Sequence, residues 1–294
     1  FFINFAIVKL IKMNDIKINW KSFLTFLALF LAAALFFNLA MSFVLLSTNN
    51  LSNPRAIMLA NTIAHLFTFT GVGIAFPLLN KYKIYEFYQN RPYKDLLFLI
   101  LTFFVVLLIQ PSLSLLTEIT NLIKLPSNID NFFSQYENMA NELLKQTMSG
   151  SGIGFLLLNI VYVALVPAVG EELIFRGIIQ KYLIKLTKHA WIGIILTGLI
   201  FSLFHLSWST ILAIWFFGII LGIVYYTTGN IWYSIFMHFI NNLMATLSYW
   251  LASNNKISYS LEEIDNIKFP LWTELISLIL MILFIIFLLK FIKL

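Results

Sequence analysis

Residues 169–177 read VGEELIFRG: two adjacent carboxylates and an arginine inside a run otherwise fit for lipid. Two further stretches break the apolar pattern in the same way. FSLFHLS at 201–207 holds His205, and MHFINN at 237–242 holds His238 and Asn242. A charge in the bilayer costs several kcal/mol, so such residues are functional candidates by default. Carboxylates and imidazoles there can move protons, ligate a metal or line an ion path. Spacing sorts them. Glu172 and Arg176 are four apart, nearly one above the other on a helix, and form an ion pair. Glu171 points about 100° away from Glu172 and is left without a local partner. The plainer alternative is that both glutamates pair with Lys181 and Lys185 at a helix end. His238 and Asn242 project from one face into one place, though such a pair also bonds helices together. His205 ends an apolar run, with Phe201 one turn back on the same face. His65, with Asn61 one turn earlier, reads as helix-packing glue, and His189, among lysines, as interfacial.

The elements that hold these residues are membrane helices. The chain is 60% hydrophobic and only 11% charged, where a soluble domain has roughly 25% charged residues. Its apolar runs are continuous, which excludes a closed β-barrel. Eight stretches approach the ~20 apolar residues a span requires: 22–47, 56–79, 95–117, 153–175, 190–206, 208–227, 231–251 and 271–290. The expected fold class is all-α, a polytopic bundle of eight transmembrane helices forming a single domain over 1–294. The net charge of +6 is not a nucleic-acid footprint, because Lys and Arg gather at the ends of the spans. With the N-terminus inside, the inner segments hold Lys9, Lys12, Lys17, Lys21, Lys81, Lys83, Arg91, Lys94, Lys181, Lys185, Lys188, Lys290 and Lys293. The outer ones hold Arg55, Lys124, Lys145, Lys256 and Lys268. That asymmetry predicts both ends inside.

The chain opens on Phe1, and MNDIKINWK from Met13 reads as a cytoplasmic lead-in ending near residue 21. The first apolar run is too long for a signal peptide and reads as a span. Two long loops, 118–151 and 252–270, fall outside. The first carries Glu118, Asp130, Glu137 and Glu142 and is amphipathic enough for a surface helix. The second carries Glu262, Glu263 and Asp265. Both read as a solvated acidic face, with substrate gating as the alternative. Counted from the inner helix ends, Glu171 lies ~15 Å deep if Lys181 marks the surface, and His205 ~21 Å deep if Trp191 does. Tilt or a short helix must close that gap. The absence of Cys removes disulfides and thiolate chemistry.

The three motifs, E-E-x-x-x-R at 171–176, F-x-x-x-H at 201–205 and H-x-x-x-N at 238–242, resemble in order and spacing the CAAX protease and bacteriocin-processing (CPBP, or Abi) family of intramembrane endopeptidases. The likeness covers 153–250 and includes FFGIILGIVYYTTGNIW, rich in small residues. It implies an eight-helix catalytic core in which Glu171 and His205 activate water. His238 and Asn242 would stabilise the oxyanion, and Glu172 with Arg176 would shape the site. It does not imply a substrate, since many bacterial members lack a prenylated target and some act in bacteriocin maturation or self-immunity.

Peptide hydrolysis needs an activated water, a place for the oxyanion and a proton for the leaving amine. Glu171 suits the base, with His205 orienting the water or exchanging its proton. His238 and Asn242 offer two donors on one face, typically worth ~3 kcal/mol each. This scheme needs no cofactor. The competing scheme is zinc held by His205, His238 and Glu171, since two His and one Glu form a known catalytic set, although no H-E-x-x-H helix is present. A serine protease is disfavoured by the absence of G-x-S-x-G. A transporter is disfavoured by the lack of inverted repeats. A non-catalytic immunity or scaffold protein of the same fold stays open. The expected setting is an integral protein of a bacterial cytoplasmic membrane. Its expected partners are lipid and a peptide or protein substrate; its oligomeric state is open.

Overall fold

The computed structural model describes residues 20–89, 96–148, 150, 152–264 and 267–291. Most of the lead-in, together with Lys9, Lys12, Lys17, Arg91, Lys94, Asp265 and Lys293, lies outside these. The described chain is helical, with a single isolated bridge between Gln89 and Asn230. Its helices in order are α1 (Trp20–Ser47), α2 (Pro54–Leu79), α3 (Ile84–Tyr88), α4 (Leu96–Asn121) and α5 (Ser127–Met148). They continue as α6 (Ile153–Thr187), α7 (Ala190–Phe204), α8 (Ile211–Thr228), α9 (Ile231–Ser253), α10 (Leu261–Ile264) and α11 (Leu271–Phe291).

Each expected span is a helix. Six are long and apolar enough to cross a membrane: α1, α2, α4, α6, α8 and α11. The other two depart for separate reasons. α7 has only 15 residues, and the 23 residues of α9 are diluted by His238, Asn241 and Asn242. These are the two helices that carry the candidate imidazoles of the second half. The solvent side of the fold is lipid-like. Leu31, Leu35, Leu39 and Phe43 form an exposed stripe along α1, a face that has no place in water.

Two apolar clusters build the interior. Val106 and Ile109 of α4 pack with Ile220 and Val224 of α8, Met237 of α9 and Met281 of α11. Phe26 and Phe30 of α1 pack with Phe76 of α2, Ile174 and Ile178 of α6 and Ile235 of α9. α9 contributes to both clusters, so His238 rides on a helix packed from both sides. Pro111 in α4 breaks a backbone ladder in an apolar setting, and the repair is visible. Ser277 of α11 accepts from Ser112 N–H and donates to the Leu108 carbonyl, spanning the gap with one hydroxyl.

Three wide π-helical turns interrupt the site-bearing helices: Leu66–Gly71 in α2, and Ile160–Leu165 and Phe175–Ile179 in α6. Such turns insert a residue and re-aim the side chains beyond them. Glu171 and Glu172 are held on the regular segment Val166–Ile174 between the two π turns of α6. Gly170 itself serves close approach. A Cβ there would stand 2.8 Å from Phe69 Cβ of α2, so only glycine lets α2 and α6 meet at this level.

The loop 118–151 contains the expected amphipathic helix, α5. It is not merely a solvated face, since Glu137 reaches the turn after α7. In the second loop, Ser260 and Glu263 cap α10 reciprocally. Those hydrogen bonds hold the exposed Glu263 carboxyl below the usual carboxylate range.

Candidate active site

Arg176 and Glu172 are both fully buried, and Arg176 Nη1 donates to Glu172 Oε1 at 2.8 Å. The four-residue spacing therefore does produce the ion pair. Two desolvated charges repay their burial only with good geometry and extra hydrogen bonds. Both are present. Arg176 Nη2 donates to the Gly218 carbonyl at 3.1 Å, and the guanidinium lies 4.4 Å from the Phe201 ring centroid. Gly218 is reachable because α7 and α8 touch backbone to backbone there: a Cβ on Gly218 would stand 3.1 Å from Gly198 Cα. One turn on, Gln180 Nε2 donates to Gly222 O at 3.0 Å. Among the described residues neither glutamate pairs with Lys181, which is buried, donates to Phe87 O and sits over that ring.

Glu172 also meets α9. His238 Nδ1 lies 3.0 Å from Glu172 Oε1. A carboxylate oxygen accepts, so the ring proton sits on Nδ1 and Nε2 is turned elsewhere. Nε2 faces Glu171 Oε2 at 3.9 Å. The other oxygen of Glu171, Oε1, faces a second imidazole: His65 Nε2 of α2, at 3.8 Å. These separations exceed a hydrogen bond. Glu171 Oε2 and His65 Nε2 are buried and without a protein partner among the described residues.

His205 caps the C-terminal end of α7. Its Nδ1 lies 2.8 Å from the Phe201 carbonyl. A carbonyl only accepts, so Nδ1 carries the proton and the lone pair of the neutral ring is on Nε2. The Phe201 ring stands 4.7 Å from the His205 ring and 5.7 Å from that of His238. One aromatic residue thus touches Arg176 and both imidazoles. Leu206 follows with φ +49, a left-handed conformation unusual for leucine. The turn beyond it is tied by Glu137 Oε1, which accepts from Ser207 Oγ at 2.8 Å, Ser209 N at 2.8 Å and Ser209 Oγ at 3.1 Å.

A cavity of about 570 Å³ opens on this group. Glu171, His205 and His65 line it, with Asn61, Phe30 and Asn38 among the walls. His238 reaches the group through Glu171 and Glu172 instead. Asn242 is one turn further along α9. Its Oδ1 accepts from Asn241 Nδ2 at 3.5 Å, a long contact, and no described residue accepts from its own amide. Glu171, Glu172, Arg176, His205 and His238 are therefore gathered in one place. Asn242 shares the helix face of His238 and makes no hydrogen bond to Glu171 or His205 among the described residues. Among the described residues, no three His, Asp or Glu side chains are close enough together to hold a metal ion as they stand.

Sequence reasoning gave His65 a packing role alone; the structure also places it 3.8 Å from Glu171 and in the wall of the same cavity. The available signal was an ionisable residue in a span, the criterion applied to the other three. It was discounted because no motif surrounds it.

Residues 153–244 match the family model for type II CAAX prenyl endopeptidase, Rce1-like proteins. The CPBP resemblance is borne out over that segment. It contains all seven motif residues from Glu171 to Asn242 and excludes His65 and Glu137. No curated protein and no solved structure matches the chain.

Proposed function

We propose that this protein is an intramembrane endopeptidase that hydrolyses a peptide bond of a membrane-associated protein or peptide. The family match supports an intramembrane protease. The observation that carries the reading is Glu171: a carboxylate with an unpartnered buried oxygen, beside two imidazoles, on a cavity it shares with His205.

In this reading Glu171 takes the proton of a cavity water as it attacks the amide carbon. His205 orients that water through its bare Nε2, which the Phe201 carbonyl keeps free of the ring proton. Asn242 and His238 face the developing oxyanion. His238 donates from Nε2 only when the ring carries a second proton, because Nδ1 already donates to Glu172. The proton gathered by Glu171 then passes to the leaving amine. Glu172 and Arg176 hold α6, α8 and α9 in register.

This route uses the side chains as they stand and needs no cofactor. Zinc bound by His205, His238 and Glu171 is the second reading. It is favoured by the open Nε2 of His238, turned toward Glu171. His238 Nε2 and Glu171 Oε2 stand 3.9 Å apart, against about 3.3 Å for two ligands of a tetrahedral zinc. Activity that survives exhaustive chelation supports the first reading, and activity restored only by added zinc supports the second.

We read the bundle as one domain crossing eight times with both ends on the cytoplasmic side of a bacterial inner membrane. In that reading the short α7 is completed by the turn at 205–210. The decisive experiment is proteolysis in liposomes, with a quenched fluorescent peptide ending in a prenylated CAAX sequence as first probe and a lipidated peptide library as second. Wild-type cleavage that is abolished in folded Glu171→Gln and His205→Ala variants is expected. Cleavage by those variants at the wild-type rate overturns the reading. Variants that preserve a cellular phenotype without cleavage would mark an immunity or scaffold protein.

A further inference from the structure

His65 lies outside the matched segment and outside every motif, yet its surroundings are those of a site residue. Its Nε2 is buried, unpartnered among described residues and 3.8 Å from Glu171 Oε1. Its ring stacks on Phe69 of the next turn, with centroids 4.2 Å apart and planes at 13°. That stacking fixes which edge points at Glu171. It lines the cavity with Glu171 and His205, and it lies within electrostatic reach of His205 and His238 as well. The approach has structural support: Gly170 lets α2 close on α6 one residue before Glu171, and the π turn at Leu66–Gly71 starts immediately after His65.

We propose that His65 is a positioning residue for Glu171. It faces the carboxylate at Oε1, while His238 stands at Oε2. The proposal builds on the protease reading, because it concerns the base in that reading. A base must be held in line with the water it serves, and a carboxylate without neighbours rotates freely. With an imidazole beside each oxygen, Glu171 is fixed in rotation.

The test uses the full-length protein in liposomes and two replacements of similar bulk. His65→Leu removes the nitrogen, and His65→Gln restores a polar group near the position of Nε2. The readout is the NMR order parameter of the Glu171 side chain in protein carrying 13C-labelled glutamate. It is expected to fall from about 0.85 in wild type to below about 0.6 in His65→Leu, while His65→Gln stays near wild type. Equal values in wild type and His65→Leu overturn the proposal, as do equal values in the Leu and Gln variants. This readout does not depend on cleavage, so it stands even where no peptide is hydrolysed and the protease reading fails. Where a peptide is cleaved, His65→Leu is expected to lower kcat about 10- to 100-fold with KM nearly unchanged, and His65→Gln to recover much of it. Wild-type kcat in His65→Leu also overturns the proposal.

Discussion

His238 donates from Nδ1 to Glu172 Oε1 across 3.0 Å, joining α9 to α6. The same oxygen accepts from Arg176 at 2.8 Å. One carboxylate oxygen therefore couples the ion pair on α6 to the ring whose far nitrogen faces Glu171. The two glutamates, adjacent in sequence, differ in their contacts: Glu172 Oε1 takes both of these hydrogen bonds, whereas Glu171 lines the cavity and makes no hydrogen bond among the described residues.

Removing the cation exposes that difference. Arg176→Met leaves a fully buried carboxylate held by His238 alone. The expected loss is about 3–5 kcal/mol, the usual cost of breaking a buried pair, read as a lower unfolding midpoint in detergent. Arg176→Lys should recover little, because a single ammonium cannot serve Glu172 and the Gly218 carbonyl with a planar fork. A midpoint unchanged in Arg176→Met would show that the pair contributes nothing to the bundle.

Phe201 should separate shape from charge. Its ring touches Arg176, His205 and His238 but donates and accepts nothing. Phe201→Leu keeps an apolar side chain and loses the π face. A loss of about 2 kcal/mol is expected from the desolvated cation–π contact. The imidazoles also lose the wall that orients them, so cleavage should fall further than stability does. Thermal unfolding and single-turnover cleavage on the same preparation measure the two.

How much of this was legible follows from what each contact depends on. The Glu172–Arg176 pair and the freedom of Glu171 depend only on helical pitch, so spacing predicts them. The helical spans follow from hydropathy. The shortfall of α7 and α9 comes from length in one case and from the site residues themselves in the other. The meeting of His65 with Glu171 depends on how α2 docks on α6, on a π turn and on Gly170, none of which carries a periodic signal. The bond from His238 to Glu172 spans two helices and is equally invisible. The reach of Glu137 to Ser207 and Ser209 joins α5 to a turn some seventy residues later, so reading 118–151 as a solvated face overlooked it.

Gly170 offers a steric test of the same docking. Its absent side chain leaves room for Phe69 Cβ at 2.8 Å and Thr70 Oγ1 at 3.0 Å from where a Cβ would stand. Gly170→Ala should therefore cost about 1–3 kcal/mol by overpacking and push α2 away from α6. Cleavage should fall by more than it does in an equally destabilised variant far from the site. An alanine variant with wild-type stability and rate would mean that the two helices are loosely docked.

Glu137 gives the last prediction, because it holds the turn after His205 from outside the matched segment. Its Oε1 gathers three donors from the turn that starts two residues after His205, while the rest of α5 is largely exposed. Hydrogen bonds to a charged group contribute about 1.5–3 kcal/mol each at most, and here they are concentrated on a turn that also carries the left-handed Leu206. Glu137→Gln keeps the shape, removes the charge and should loosen 206–210 without unfolding the bundle. Hydrogen exchange is the direct measure: amides of 207–210 should exchange at least about tenfold faster, the equivalent of 1.4 kcal/mol, while those of α8 and α9 stay protected. Cleavage should fall moderately and in step with the loosening, since His205 is anchored independently to Phe201 O. If exchange in 207–210 is unchanged, α5 merely rests on the turn and Glu137 does not hold it.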